Sequence, residues 1–452
     1  MTDFGRVARN FGDALRLPLL KELAARGPQA LEQWAAEHPD RARRLLDAPP
    51  DAETVKGWWN ALSADERTAL ITGLSAVVGN LNGVLYADRG LANRHTLEVE
   101  LPRARARYEE LSARVARAEP LSVAERQEYA ALAERVGALE ALKRTLLAST
   151  AAAPRTIIAL TLGHPPLAAV AVGNMDTATN VTVDVPGMGS SVAGSMEAWT
   201  GGAENLYNEQ RKVAQQTGAS RDVATVAWLG YEAPAMPLST EVLRSTKAEA
   251  GARHLGDFLD GVAAARGWPH GEHLSVVAHS YGTTTATLAA AHTPVDNLVL
   301  LASAGVDPRV PNVGAVSVPE GHVWASQAKS DFTANVGRGA IEVPKPGFGG
   351  DQPISEANPF ASNRTLVLPL PSTHPLNPGS DAWGARTFSS NDERVDGDDL
   401  PGSDGHGATP ATEAALAGNP VTERGYLDAE TSSIRNTAYT SLGYTPDGKK
   451  LP

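Results

Sequence analysis

Apolar residues in the first third of the chain recur at spacings of three and four, whereas after residue 150 they gather into short β-branched runs. The first pattern is that of helices with one buried stripe, and the second is that of strands. Residues 1–150 therefore read as an α-helical domain. Ser63-Ala64-Asp65-Glu66 offers a capping box that starts a helix near Ala64. The Ala-, Arg-, Glu- and Leu-rich run Leu101–Leu147 breaks at Leu121-Ser122, where Ser122 and Glu125 offer a second capping box. This predicts a pair of long antiparallel helices. No a/d heptad persists far enough for an extended coiled coil. Trp58-Trp59 reads as core of this helical part.

The pattern changes at Thr150-Ala151-Ala152-Ala153-Pro154. Strand-like runs follow at Thr156–Leu162, Leu167–Val172, Asn180–Val185, Val223–Trp228, Leu274–Ala278, Leu298–Leu301, His322–Ala325 and Ala385–Phe388. Helical patterns cover Thr240–Arg266 and Thr283–His292. A hairpin followed by alternating strand and helix predicts an α/β fold, mostly parallel with an antiparallel start, over residues 151–452. The most apolar stretch, Thr156–Val172, is interrupted by His164-Pro165-Pro166, so it reads as two strands and a turn rather than an integral membrane segment. Residues 337–381 are rich in Pro, Gly, Asn and Ser and read as a long irregular insertion, a candidate lid.

Composition narrows the partners. A length of 452 residues favours two domains. The net charge of −12 argues against nucleic acid or an anionic membrane as partner. The absence of cysteine removes disulfides, thiolate nucleophiles and cysteine-ligated metals. Met1–Leu20 scatters its charges and has no apolar stretch typical of a secretory signal, so the expected location is cytoplasmic, with export by another route left open. Oligomeric state is not legible.

One segment carries chemistry. Val276-Val277-Ala278-His279-Ser280-Tyr281-Gly282-Thr283 follows an apolar run and precedes small helix formers. It reads as strand, sharp turn and helix with Ser280 at the tip: the nucleophile elbow of an α/β-hydrolase, with Ala278 where the usual motif has glycine. The turn lifts a serine hydroxyl clear of the sheet, within reach of a histidine and of backbone N–H donors. In this fold the acid follows the serine and the histidine comes last. Asp331 lies just past the second strand beyond the elbow, with Asp307 as its rival. Only His374 and His406 follow Asp331. His406, in Asp404-Gly405-His406-Gly407 after a last strand and a polar loop, is the preferred base, and His374 is the alternative. Oxyanion-hole donors are expected from the N–H of Tyr281 and, in Val185-Pro186-Gly187-Met188-Gly189, from Met188, with Gly189 next. Gly187, Gly189, His279, Trp228 and Tyr231 are candidate pocket residues; for Trp228 and Tyr231, packing is an equal reading. No cofactor and no metal are expected.

With these residues in hand, the chain resembles an actinobacterial α/β-hydrolase family known as domain of unknown function 1023. The resemblance spans most of residues 55–440. It rests on Trp58-Trp59-Asn60-x-Leu62-Ser63, Gly79-Asn80-Leu81-Asn82-Gly83-Val84, Ala92-Asn93-Arg94, Ala171-Val172-Gly173-Asn174, Val185-Pro186-Gly187, the elbow itself, Gly321-His322-Val323-Trp324, Trp383-Gly384-Ala385-Arg386 and Ser433-Ile434-Arg435-Asn436. It implies a serine hydrolase with the triad Ser280, Asp331 and His406. The chain departs from the family pattern at two insertions, about residues 347–372 and 407–423. The expected function is a carboxylic ester hydrolase, lipase- or esterase-like, acting on a small-molecule ester through an acyl-enzyme. A peptidase or amidase of the same fold is one alternative. The other is an interaction scaffold whose helical domain binds a partner while the hydrolase fold is vestigial.

Overall fold

The β-branched runs after Pro154 pair into one eight-stranded sheet. The computed structural model describes residues 16–235, 240–267, 273–344, 365–409 and 424–452. The strands are β1 (Arg155–Thr161), β2 (Leu167–Gly173), β3 (Asn180–Val185), β4 (Val223–Leu229), β5 (His273–His279), β6 (Asn297–Leu301) and β7 (Val323–Ser326). A hairpin follows, β8 (Ala340–Pro344) with β9 (Thr365–Pro369), and then the short β10 (Arg386–Thr387). The sheet order is β1-β2-β4-β3-β5-β6-β7-β10. β2 runs antiparallel to both neighbours and every other pair is parallel. The parallel strands are buried on both faces, as their near-continuous Val, Ala and Leu content requires.

Ahead of the sheet lie helices α1 (16–24), α2 (Pro28–Glu37), α3 (Pro39–Asp47), α4 (Ala52–Ala61), α5 (Ala64–Gly73), α6 (Ser75–Val78), α7 (Tyr86–Ala116) and α8 (Val123–Leu147). Both capping boxes form, Ser63 with Glu66 and Ser122 with Glu125. The long helix begins at Tyr86 rather than near Leu101, and it runs through Pro102. Trp58 and Trp59 belong to a core of their own with Leu23, Leu31 and Leu70. α7 and α8 instead share one core with β1, β2 and α9 (Val192–Thr217).

The asparagines of the N-terminal motifs explain this docking. Asn80 bonds the backbone of Leu160 twice, Nδ2 to the carbonyl at 2.7 Å and Oδ1 from the N–H at 2.8 Å. Asn93 Nδ2 reaches Ile157 O at 3.0 Å. Both residues serve β1, an edge strand whose free backbone groups need partners. Asp176, just after β2, accepts the Tyr86 and Ala87 N–H groups at the start of α7, each at 2.8 Å. The described helices are therefore tied to the sheet by polar as well as apolar contacts.

Two readings need correction. Part of the supposed irregular insertion 337–381 is the β8–β9 hairpin; residues 345–364, the remainder of the candidate lid's tip, lie outside the described residues. The last strand of the eight-stranded sheet is only Arg386–Thr387 rather than Ala385–Phe388. Most of the 407–423 insertion also lies outside the described residues. α10 (Thr246–Arg266) and α11 (Gly282–Ala290) cover one face of the sheet, and α9 and α13 (Ser432–Ser441) the other; the short α12 (Thr333–Gly337) follows β7. Among the described residues no helix is long and apolar enough to cross a membrane.

Candidate active site

Ser280 occupies the turn from β5 into α11 with φ +55°, in the left-handed region that a non-glycine residue adopts only under constraint. The constraint is visible. Ser280 N–H donates to Leu301 O at 3.0 Å, and Ser280 O accepts from Thr283 Oγ1 at 2.7 Å and Ala304 N at 3.2 Å. Glycine is required on two sides. A Cβ on Gly282 would stand 2.5 Å from the carbonyl oxygens of Val185 and Pro186. One on Gly187 would stand 2.6 Å from Ser280 Cβ and 3.0 Å from its Oγ. The Pro186-Gly187 backbone can therefore lie directly against the serine.

His406 and Asp331 meet Ser280 from loops far along the chain. His406 Nε2 lies 2.8 Å from Ser280 Oγ. His406 Nδ1 lies 2.9 and 3.0 Å from the two Asp331 oxygens, so it carries the proton and leaves Nε2 as acceptor. Burial pushes the Asp331 carboxyl up, but His406, the Ala334 N–H and the Tyr426 hydroxyl outweigh it and hold the group below the ordinary carboxylate range. Asp331 is thus an anion at neutral pH.

The rivals sit elsewhere. Asp307 is bonded by its own neighbour, Arg309, at 2.8 and 2.9 Å; against the upward push of burial, these bonds hold it down at about 2. His374 is fully buried, with Nδ1 3.0 Å from Ala304 O and Nε2 2.8 Å from Val242 O, edge-on to the Tyr281 ring. Neither makes a bond to Ser280 or His406.

The loop after β3 is anchored from both faces of the sheet. Tyr231 Oη donates to Pro186 O at 2.7 Å, and Trp199 Nε1 to Asp184 O at 3.0 Å. Gly189 N–H is engaged by Pro234 O at 2.8 Å, which removes it as an oxyanion donor. Among the described residues, the N–H groups of Met188 and Tyr281 have no acceptor. Gly187, Met188, Gly189, His279, Ser280 and His406 line a cavity of about 30 Å³, room for roughly one water. Ser195 and Trp199 of α9 line it too, and no sequence signal marked them.

Trp228 lies in the core and is not among the residues lining the cavity at Ser280. It stacks on Tyr231, with centroids 5.9 Å apart, and packs against Phe258 in the core below α10. Tyr231 is 4% exposed and acts on the site through Pro186. His279 is buried, and burial drives its pKa down to about 3, so the ring is neutral. Its Nε2–H donates to His406 O at 2.6 Å and steadies the loop that delivers His406.

Tyr426 was not singled out from the sequence. It is fully buried; its hydroxyl accepts the Ala328 N–H at 2.7 Å and donates to Asp331 Oδ2 at 2.9 Å. Tyr426→Phe should leave Asp331 short of one bond and lower kcat about tenfold with KM nearly unchanged, as loss of a neighbour that orients a reacting group does. Steady-state kinetics of the purified variant check this; an unchanged kcat would show that the hydroxyl has no positioning role.

Asp184, in β3, is a further unmarked residue. Both its carboxyl oxygens are buried without a partner among the described residues, and burial raises its pKa well above the ordinary value. An acid raised in the folded state is protonated there while the unfolded chain ionises, so its stabilising contribution is present at low pH and lost as pH rises. Asp184→Asn should therefore melt higher than the parent at pH 8, with the gap closing toward pH 4. A gap that stays constant with pH, in thermal melts of both proteins, contradicts the buried-acid reading.

Residues 163–341 match the family described as alpha/beta hydrolase. An uncharacterized protein of Mycobacterium tuberculosis is 27% identical over 329 residues, covering 69% of this chain and 48% of that protein. An uncharacterized protein of Mycobacterium bovis is 30% identical over 193 residues, 42% of this chain and 67% of that one. The chain spans about half the length of the first of these relatives. Among solved structures, a fungal esterase from Rhizomucor miehei aligns with 12% identity and a TM-score of 0.33, over 74% of this chain and 94% of that one. The esterase PE8 aligns with 15% identity and a TM-score of 0.28, over 37% and 77%.

Proposed function

From the premise that this chain belongs to the α/β-hydrolase family, we propose that it is a serine hydrolase cleaving carboxylic esters through an acyl-enzyme. The observation that carries this reading is the unbroken line Ser280 Oγ, His406 Nε2, His406 Nδ1 and Asp331, with contacts of 2.8 and 2.9 Å. As His406 takes its proton, Ser280 Oγ attacks the ester carbonyl carbon. Asp331, held as an anion, fixes the His406 tautomer and stabilises the imidazolium. The carbonyl oxygen, now negative, is met by the Met188 and Tyr281 N–H groups, whose freedom from other acceptors supports this role. His406 then protonates the departing alcohol. Water, deprotonated by His406, attacks the acyl-enzyme, and Ser280 is restored as the carboxylic acid leaves.

The cavity of about 30 Å³ directly at the serine fits a small acyl group. On a panel of p-nitrophenyl esters, kcat/KM should be largest for acetate or propionate and fall steadily toward decanoate. A maximum at decanoate would contradict the small-acyl reading, and amide turnover without ester turnover would contradict the substrate class.

A further inference from the structure

A guanidinium withdrawn from water needs several acceptors or an anion around it. Arg338, just past α12, is partly withdrawn, and burial, opposed by the charge of Asp331, lowers its pKa to about 10. Its N–H groups reach Ser303 O at 2.6 Å, Gln327 Oε1 at 2.8 Å and Asn335 Oδ1. All three acceptors are neutral, and a guanidinium has further N–H groups to offer. Asp331 offsets part of this charge through space but makes no bond to Arg338, its oxygens being engaged by His406, Ala334 and Tyr426. Among the described residues no carboxylate oxygen pairs with Arg338.

Arg338 faces a cavity of about 240 Å³ between β6, β7 and β10. It shares no lining residue with the cavity at Ser280. Its charged lining groups are Arg338, Lys329 and Asp331, which leave one net positive charge. Phe332, 41% exposed, and Phe388 give it an apolar side. The volume lies below the range of drug-sized pockets, roughly 300–1,000 Å³. One positive charge, one apolar wall and this volume suit a small molecule with a single negative charge and a hydrocarbon end. We propose that this cavity binds a small organic monocarboxylate, with its oxygens on Arg338 and its hydrocarbon part against Phe332 and Phe388. A bidentate carboxylate is the natural complement of a guanidinium edge.

The test is equilibrium binding of benzoate to the full chain, read by calorimetry. It involves no turnover, so it stands whether or not Ser280 is a nucleophile. Benzoate should bind, and its neutral isostere benzamide should bind at least about tenfold more weakly. Arg338→Met should weaken benzoate by at least about tenfold, and Arg338→Lys should restore part of the loss. Equal affinity for benzoate and benzamide, undiminished binding in Arg338→Met, or no benzoate binding at all would overturn the proposal. Should Arg338→Met fail to fold, Lys329→Gln on the exposed rim replaces it. Benzoate must then bind more weakly at low salt, and an unchanged affinity overturns the assignment. A carboxylate seated at the serine instead would be affected by Ser280→Trp, which fills the 30 Å³ cavity; loss of benzoate in that folded variant also overturns the proposal.

Discussion

Ser280→Ala is expected to lower kcat for p-nitrophenyl acetate by about 10⁴-fold or more while leaving the thermal midpoint close to that of the parent. The rate effect is large because no other group replaces the covalent step. His406 and the Met188 and Tyr281 N–H groups can still polarise the ester, but they can only assist a water that the cavity was not built to hold in line. The stability effect is small for a local reason. The substitution removes one hydroxyl and its bond to His406 Nε2, while the backbone bonds to Leu301, Thr283 and Ala304 that hold the strained turn remain. A neutral hydrogen bond of this kind contributes about 1 kcal/mol. Retained turnover in a correctly folded Ser280→Ala would move the chemistry to another residue.

His406→Ala should cost about 10³-fold or more in kcat, whereas His374→Ala should act on stability. The two histidines differ in what their nitrogens touch. His406 joins Ser280 to Asp331, so its loss removes both the proton acceptor and the reason for the Asp331 geometry. His374 is wedged between the carbonyls of Ala304 and Val242 under the Tyr281 ring, and removing it opens a hole and takes the ring's one N–H from the carbonyl that accepts it. That should destabilise the fold by about 2–4 kcal/mol in denaturant unfolding. Kinetics and unfolding of the two variants, measured side by side, separate these roles. A kcat loss in His374→Ala equal to that in His406→Ala, with both proteins stable, would contradict them.

The elbow, the strand pattern and both capping boxes were legible because each depends on residues close in sequence. Chain order narrowed the acid to Asp331 or Asp307 and the base to His406 or His374, since the fold fixes which loops meet above the carboxyl ends of the strands. What escaped was set by tertiary contact alone. Tyr426 reads as one more aromatic residue until the loop returns it to Asp331 and Ala328. Asp184 reads as a strand residue, and its isolation appears only when β3 is enclosed by its neighbours and by α9. Trp228, near the end of β4, and Tyr231, just past it, stack on each other, which puts Trp228 in the core, while Tyr231 also lines a cavity of about 560 Å³ beside Gly189 and Ser190. The asparagines of the N-terminal motifs entered only as marks of the family resemblance. Their task, pairing with the free edge of β1, requires knowing that β1 is an edge.

The central claim is that the Ser280 hydroxyl is the activated nucleophile, and the most direct measurement is the site of covalent attachment of a fluorophosphonate probe. The labelled full chain is digested and the adduct is located by peptide mass spectrometry. The account predicts a single adduct on Ser280, absent from Ser280→Ala and much slower to form in His406→Ala. An adduct on any other residue, or no adduct on folded protein, would contradict it.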